Sequence, residues 1–488
     1  MLCACCYHCS MLSVFYILVR ALSFGLRNYS AAHELIGALL VGSFLFLCIK
    51  NISLAWRILV LELLLDGAGH FFEFHSLLVR TWVLGIFACV WMWKKFRAHE
   101  REKNFLFLPQ KNSLIALALF GIFLAWAAAN GVMHGNDHRQ IAQDTILYLF
   151  LALLFPALEF EHFPKKLYTR AIKIFIFGSA LFSLLTLALY SSKIFVLTDP
   201  YYHWFRNVAA GKITDLGSHF FRIVLPEQIL FVPIILVLLG CLIKKFDNKK
   251  IWTLMACSLV SLTLNFTRMY FIALAVGALV LLYRTSWKRW LAVAATTFTL
   301  AALIFFSLHF IASRGQTIGL ELLGIRVAGI HAPETDPSGA IRIALLPDIF
   351  RHIKMHPLLG SGLGTKISYL DPTTHTAQTR TQFDWGYFEM ITELGALGTV
   401  AYIALLGTIT YNFARITRAH EPYAHIARGF LAGAVALCII NITTPALFQG
   451  FGVLYFVFLL VISFRMRECS PQNESNPTLH HFFSDTSP

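Results

Sequence analysis

The chain has 488 residues, of which 57% are hydrophobic and only 14% charged, and its mean hydropathy is +0.65. That much apolar surface exceeds what a soluble core of this size can hide, which excludes an ordinary water-soluble globular protein. The 40 Lys and Arg against 26 Asp and Glu would suit nucleic acid in a soluble protein. Here the charges fall between apolar runs, so no nucleic-acid partner is expected and their position matters more than their sum.

Backbone groups in hydrocarbon must be satisfied within their own segment, and the apolar runs approach helix-spanning length without strand-like alternation. The expected fold class is all-α, a polytopic integral membrane protein with about 12–14 transmembrane helices and a large extracytoplasmic loop between late helices. In chain order the spans are read near 11–26, 34–49, 52–66, 77–93, 113–130, 141–159, 171–190, 228–243, 250–265, 268–283, 290–312, 385–410, 426–440 and 450–464. Before the first of them no basic region leads to a small-residue cleavage site, so that helix is read as retained. Cys3, Cys5, Cys6, His8 and Cys9 lack the paired halves of a zinc module and read as a reduced or lipidated cytoplasmic tail, with no metal expected. None of the ten cysteines falls in the two long polar loops, so no disulfide framework is implied. In the third span Glu62 and Asp66 stand four apart, with Arg57 nearby. Intramembrane charges invite a functional reading, and the alternative is an intrahelical pair or a snorkelling end.

Lys and Arg in short loops are retained on the cytoplasmic side. Lys94, Lys95, Arg97, Arg101, Lys103 and Lys111 fill one such connection. Lys165, Lys166 and Arg170 mark the next, followed by Lys244, Lys245, Lys249 and Lys250, then Arg284, Lys288 and Arg289, then Arg415 and Arg418. Successive clusters are two spans apart, so all share one face, and Arg465 and Arg467 put the C-terminus there with the N-terminus. The same count places two long loops outside: 191–227, with Tyr201, Tyr202, His203, Trp204 and Phe205, and 313–384. The expected organisation is a helix bundle over 1–312 that includes the outer loop 191–227, an extracytoplasmic catalytic loop over 313–384, C-terminal spans over 385–465 and a disordered cytoplasmic tail over 466–488.

The second long loop holds Arg342, Arg351 and the run His356-Pro357-Leu358-Leu359-Gly360-Ser361-Gly362-Leu363-Gly364. Glycines so spaced free the backbone to approach a ligand with its N–H groups, or else form a hinge back to the membrane. Further on, Asp384-Trp385 opens a helix carrying Glu393-Leu394-Gly395-Ala396-Leu397-Gly398, and Thr267-Arg268 lies at a tight turn between two spans. Taken in this order, the motifs resemble the O-antigen ligase and polymerase superfamily. Members transfer a glycan from undecaprenyl pyrophosphate to a sugar hydroxyl without metal or nucleotide.

The resemblance implies no cofactor. Its partners would be an undecaprenyl-pyrophosphate-linked oligosaccharide, a glycan acceptor that is either a lipid-linked repeat or a lipid A-core, and membrane lipids. It also implies an inner-membrane location with a periplasmic site. Such a transfer needs a cationic cradle for the leaving pyrophosphate and a base for the acceptor hydroxyl. Arg268, Arg342 and Asp384 are the expected catalytic residues; Arg222, Arg206, Arg351, His356, Gly360, Gly362 and Gly364 are expected at the substrate. Each arginine has an alternative as a solvated or snorkelling side chain, and Asp384 as a helix cap. The family's ligases carry histidine where Asp384 stands, with Asn, Ser or Gln next, where Trp385 stands. Partial burial would adapt an aspartate to the basic role, and the substitution favours a polymerase over a ligase. A transporter or flippase is the reading from a different class, and it would call for inverted repeats.

Overall fold

The structure, a computed structural model, describes residues 2–99, 111–160, 165–283, 285–331, 337–372, 374–419 and 424–468. The side chains of the N-terminal cysteine cluster and of Arg326, one of the basic residues of the second long loop, and the tail from 469 onward, lie outside the described residues.

Each predicted span is helical over most of its length. The first half of the chain contains α1 (Leu2–Gly25), α2 (Ser30–Lys50), α3 (Ile52–Leu65), the single turn α4 (Ala68–Phe71), a small hairpin of β1 (Glu73–Phe74) and β2 (Leu77–Leu78), α5 (Val79–His99) and α6 (Lys111–Met133). α7 (His138–Leu149) runs through a 3₁₀ turn into α8 (Leu154–Glu159), and α9 (Lys165–Ser191) follows. Among the described residues seven helices are long and apolar enough to cross a membrane, including Ser30–Lys50, Thr169–Ser191 and Trp287–Ala312. Ile122 at 67% exposed and Phe298 at 77% show the apolar outer surface that suits lipid rather than water. The protein is an all-α polytopic membrane protein.

The two long connections are themselves folded. The first holds α10 (Pro200–Asn207) and an antiparallel hairpin of β3 (Lys212–Asp215) and β4 (Phe221–Val224). Its aromatic run is core rather than a ligand platform. Tyr201, Trp204 and Phe205 are buried, and the Trp204 indole donates to Ser23 Oγ at 3.1 Å. Next come α11 (Phe231–Lys244), α12 (Lys249–Asn265), α13 (Arg268–Leu281) and α14 (Trp287–Ala312). The second connection contains α15 (Leu320–His331), α16 (Pro337–Met355) and a hairpin of β5 (Ile367–Leu370) and β6 (Ala377–Arg380). Leu345 and Ile349, one helical turn apart on α16, meet Ile367 and Tyr369, the alternate inward residues of β5, and Phe383 closes this small separate core. The chain ends with α17 (Gly386–Ala419), α18 (Ala424–Ile440) and α19 (Gly450–Glu468).

A buried polar cluster ties α1, α3 and α5 to the turn before α11. Glu62 and Asp66 pair across helices, not within one: Arg80 Nη2 lies 2.6 Å from Asp66 Oδ1 and 3.5 Å from Glu62 Oε1. Arg20, only 1% exposed, reaches Glu227 at 3.4 Å and Asp66 at 3.9 Å, and the Tyr16 hydroxyl donates to Glu227 at 3.1 Å. Charges this deep persist only when paired, so the cluster fixes the segment that begins with Glu227.

The glycine run is packed backbone against backbone. Gly362, at φ +86°, sits so close to Gly131 at the end of α6 that a Cβ would overlap its backbone nitrogen. Opposite, α17 is interrupted at Gly395, whose φ of 69° and ψ of 178° are not helical. That break frees the carbonyls of Thr392 and Glu393 to accept from Ser361 and Gly362 at 2.7 and 3.1 Å. Gly362→Ala adds both a steric overlap and a strained φ. It is expected to destabilise the fold by about 3 kcal/mol or more. Thermal unfolding of detergent-purified protein would register this, and an unchanged midpoint would contradict it.

Candidate functional site

The two folded connections meet. On β4 the inward residues are Phe221 and Ile223, which leaves Arg222 half-buried and directed to the turn between α12 and α13. Its Nε donates to Asn265 O and its Nη2 to Thr267 Oγ1, both at 2.8 Å, joining residues 43 and 45 positions apart. α12 stops there because Phe266 adopts φ 48°, a left-handed conformation unusual for a bulky residue, held by its stack on Phe305 at 5.2 Å. Thr267 then precedes Arg268, the first residue of α13, which is half-buried. The Thr267 hydroxyl donates to Asn265 Oδ1. The Asn265 amide donates in turn to Gln228 Oε1 at 2.6 Å, and the Gln228 amide to Ser183 Oγ at 3.3 Å. Asn265 and Gln228 are fully buried and were missed by sequence reasoning. Their signal was available: each is a polar amide beside an apolar run, which membrane burial makes costly without a partner. Gln228 directly follows Glu227, so the buried charge cluster anchors the turn that carries Arg268.

Asp384 faces this assembly from the second connection. It adopts φ 57°, and its carboxylate lies 3.8 Å from Arg380, whose guanidinium sits over the Tyr369 ring. Its side chain is partly buried, at 42% exposed. It does not act as the helix cap. Glu389, in the first turn of α17, instead reaches back to accept from the Phe383 N–H at 3.1 Å, which ties the loop before the helix to it. The half-buried Asp384 carboxylate is therefore shared between Arg380 and the surface. Next to it, the Trp385 indole donates to Arg342 O at 2.9 Å, and Arg342 Nε is buried with no hydrogen-bond partner among the described residues.

Lys212 on β3 reports on the space between. Desolvation lowers its pKa first, and the positive charges of Arg222 and Arg206 lower it further, while Asp384 opposes them and Arg380 adds to the depression. Arg206, Arg222, Arg380 and Asp384 thus all act on Lys212. Like charges gathered this way raise the local potential for an anion.

Other expected site residues are placed differently. Arg351 is 63% exposed and ion-paired with Asp348, one turn earlier on α16, so it does not join the group around Asp384. The glycines do not aim N–H groups at a ligand: Gly360 donates to His356 O, Gly362 to Glu393 O and Gly364 to Asp144 Oδ2. Their conformational freedom is used for close packing instead. His356 ends α16 in a separate polar cleft.

Residues 253–403 match the family model described as O-antigen ligase. Over that stretch the chain is similar to the O-antigen ligase family. The match opens in α12, just before the Asn265 turn, and closes in α17 beyond the Gly395 break, so it contains Arg268, Arg342, the glycine run and Asp384. β4, with Arg222, lies outside it and is contributed by the N-terminal part of the chain. No curated protein matches the chain. Members of the O-antigen ligase family are glycosyl-transferring membrane enzymes whose substrates are, in general, lipid-linked glycans.

Proposed function

We propose that this protein transfers a glycan from undecaprenyl pyrophosphate to a sugar hydroxyl at the extracytoplasmic face of the bacterial inner membrane, acting as a surface-polysaccharide polymerase. The observation that carries the reading is the convergence of Arg206, Lys212, Arg222 and the Thr267-Arg268 turn on Asp384 and Arg380, from two connections far apart in sequence. In the reaction the acceptor oxygen bonds to the anomeric carbon of the donor sugar as that carbon's bond to pyrophosphate breaks. The bonding pair leaves with the pyrophosphate, and the hydroxyl proton passes to the Asp384 carboxylate. Arginines suit the leaving group because each stays charged and can bond two oxygens together. Preorganised donors stabilise charge that develops in the transition state. Arg222 is preorganised by the Asn265 and Thr267 hydrogen bonds.

The deciding experiment supplies purified protein with a defined undecaprenyl-pyrophosphoryl oligosaccharide. Release of undecaprenyl pyrophosphate without any ion gradient is expected, whereas a transporter or flippase would release none. The ligase reading is kept as the second one because the matched family model is described as an O-antigen ligase. Asp384 in the histidine position and the many basic side chains favour the polymerase, whose site must accommodate two pyrophosphate-linked chains.

With both termini cytoplasmic, the two folded connections lie outside, as the short-loop charges require. A cysteine at Gln378 on β6 is expected to react with an impermeant thiol reagent in intact spheroplasts, and one at Arg97 at the end of α5 only after lysis. The reverse pattern would overturn this orientation. The depressed pKa of Lys212 has a consequence with a definite sign. Donor affinity depends on the charged ammonium, so it should hold at neutral pH and weaken as pH rises through a value below that of an ordinary lysine. Lys212→Arg should flatten that alkaline rise in donor KM, because arginine keeps its charge. A KM that does not change with pH in the unaltered protein would place Lys212 outside the cradle.

A further inference from the structure

A polar cleft of about 320 Å³ opens between the α6–α7 turn and the last turn of α16. His134 and Asn136 line one side, His352 and His356 a second, and Ser361 and Lys366 the floor and rim. His134 Nδ1 lies 2.8 Å from Asn130 O, and a carbonyl only accepts, so Nδ1 carries a proton and Nε2 is the ring atom left for a ligand. His352 Nδ1 lies 3.3 Å from Ser361 Oγ. Desolvation, with Arg351 and His356 nearby, holds its pKa below the usual histidine value against the pull of Asp348, so it is neutral and offers both a donor and an acceptor. The His356 ring meets His134 edge to face at 4.7 Å and has no hydrogen-bond partner among the described residues. Asp137, which caps α7, balances Lys366.

These walls fit one class of ligand. A lipid tail would strand the polar groups, and an anion would meet the Asp137 carboxylate. No group of three histidine, cysteine or acidic side chains able to hold a metal occurs among the described residues. Mixed donors and acceptors with balanced charge and exposed imidazole faces match a polyhydroxylated ring. The volume, at the low end of the range of roughly 300–1,000 Å³ for ligand sites, suits the end of a chain. The cleft also shares its scaffold with the transfer site. α16 carries Arg342 near its start and His352 near its end, about 15 Å apart at helical rise. Ser361 is bonded to α17, the helix that Asp384 precedes.

We infer that the cleft is a subsite for uncharged sugar residues of the glycan whose reacting end lies at Asp384, an inference that rests on the transferase reading. Two full-length variants test it. His356→Ala with Lys366→Ala removes two ligand-facing side chains that hold no hydrogen bond among the described residues, and Met355→Trp obstructs the rim from an exposed position. The probes are the repeat-unit oligosaccharide freed from its lipid by mild acid and the core oligosaccharide freed from the cell's glycolipid. Saturation-transfer NMR on detergent-solubilised protein should detect one of them with the parent and with Arg268→Ala. Affinity should be about tenfold weaker in either cleft variant, the equivalent of one or two lost hydrogen bonds. Which probe binds distinguishes a repeat from a core as the occupant. Absence of binding by the parent, or equal binding by both cleft variants, overturns the subsite. Undecaprenyl pyrophosphate release, measured on the same preparations, fails separately if the transferase reading is wrong.

Discussion

Arg268→Ala is expected to lower glycan transfer by about 10²–10³-fold while the protein still inserts and folds, the usual cost of removing one preorganised donor to developing charge. The residue opens α13 immediately after a turn that three side chains hold in place: half-buried Arg222 and buried Asn265 and Gln228. The Arg222–Asn265, Arg222–Thr267 and Asn265–Gln228 hydrogen bonds do not involve the Arg268 side chain, so the loss should appear in kcat more than in abundance. Lysine at 268 should restore only part of the rate, because it brings a point charge without the fork. Arg342→Ala is expected to behave similarly. The Arg342 backbone carbonyl, which receives the Trp385 indole, is preserved in that variant, so a loss would belong to the guanidinium. Initial rates of undecaprenyl pyrophosphate release measure both variants. Near-normal rates in both would move the cradle to Arg206, Lys212 and Arg222 alone.

The second large effect belongs to Asp384. Asparagine keeps the shape and readily adopts a positive φ, so Asp384→Asn should leave the backbone at φ 57° undisturbed while removing the proton acceptor. Loss of a general base costs about 10²–10⁴-fold in rate. Histidine also tolerates this conformation and is the residue that the family's ligases carry there, so Asp384→His should retain measurable activity where asparagine does not. Full activity in the asparagine variant would reduce Asp384 to a partner of Arg380. Gene deletion then separates the two branches of the family. Loss of a polymerase leaves single repeat units attached to the cell's core glycolipid, whereas loss of a ligase leaves long chains stranded on undecaprenol.

Local physics made the membrane class and the helical spans readable from residues alone, because length and hydropathy are properties of a contiguous run and do not depend on what it packs against. The motif order from Thr267-Arg268 to Gly398 was equally legible, and the family match covers that same region. What the side chains do there was decided by contacts between segments far apart in sequence. The glycine run reads as a ligand loop until α6 and the broken α17 are seen to occupy its N–H groups. Asp384 reads as a cap until its carboxylate is found beside Arg380 of β6. Glu62 and Asp66 read as an intrahelical pair until Arg80 comes in from another helix. Arg222 could be ranked but not placed, since its hold on Asn265 and Thr267 exists only once β4 packs against the end of α12. In each case a polar group in an apolar setting must find a partner, and the sequence states that need. The tertiary fold decides which of several distant groups meets it, because burial makes every alternative left unpaired too costly.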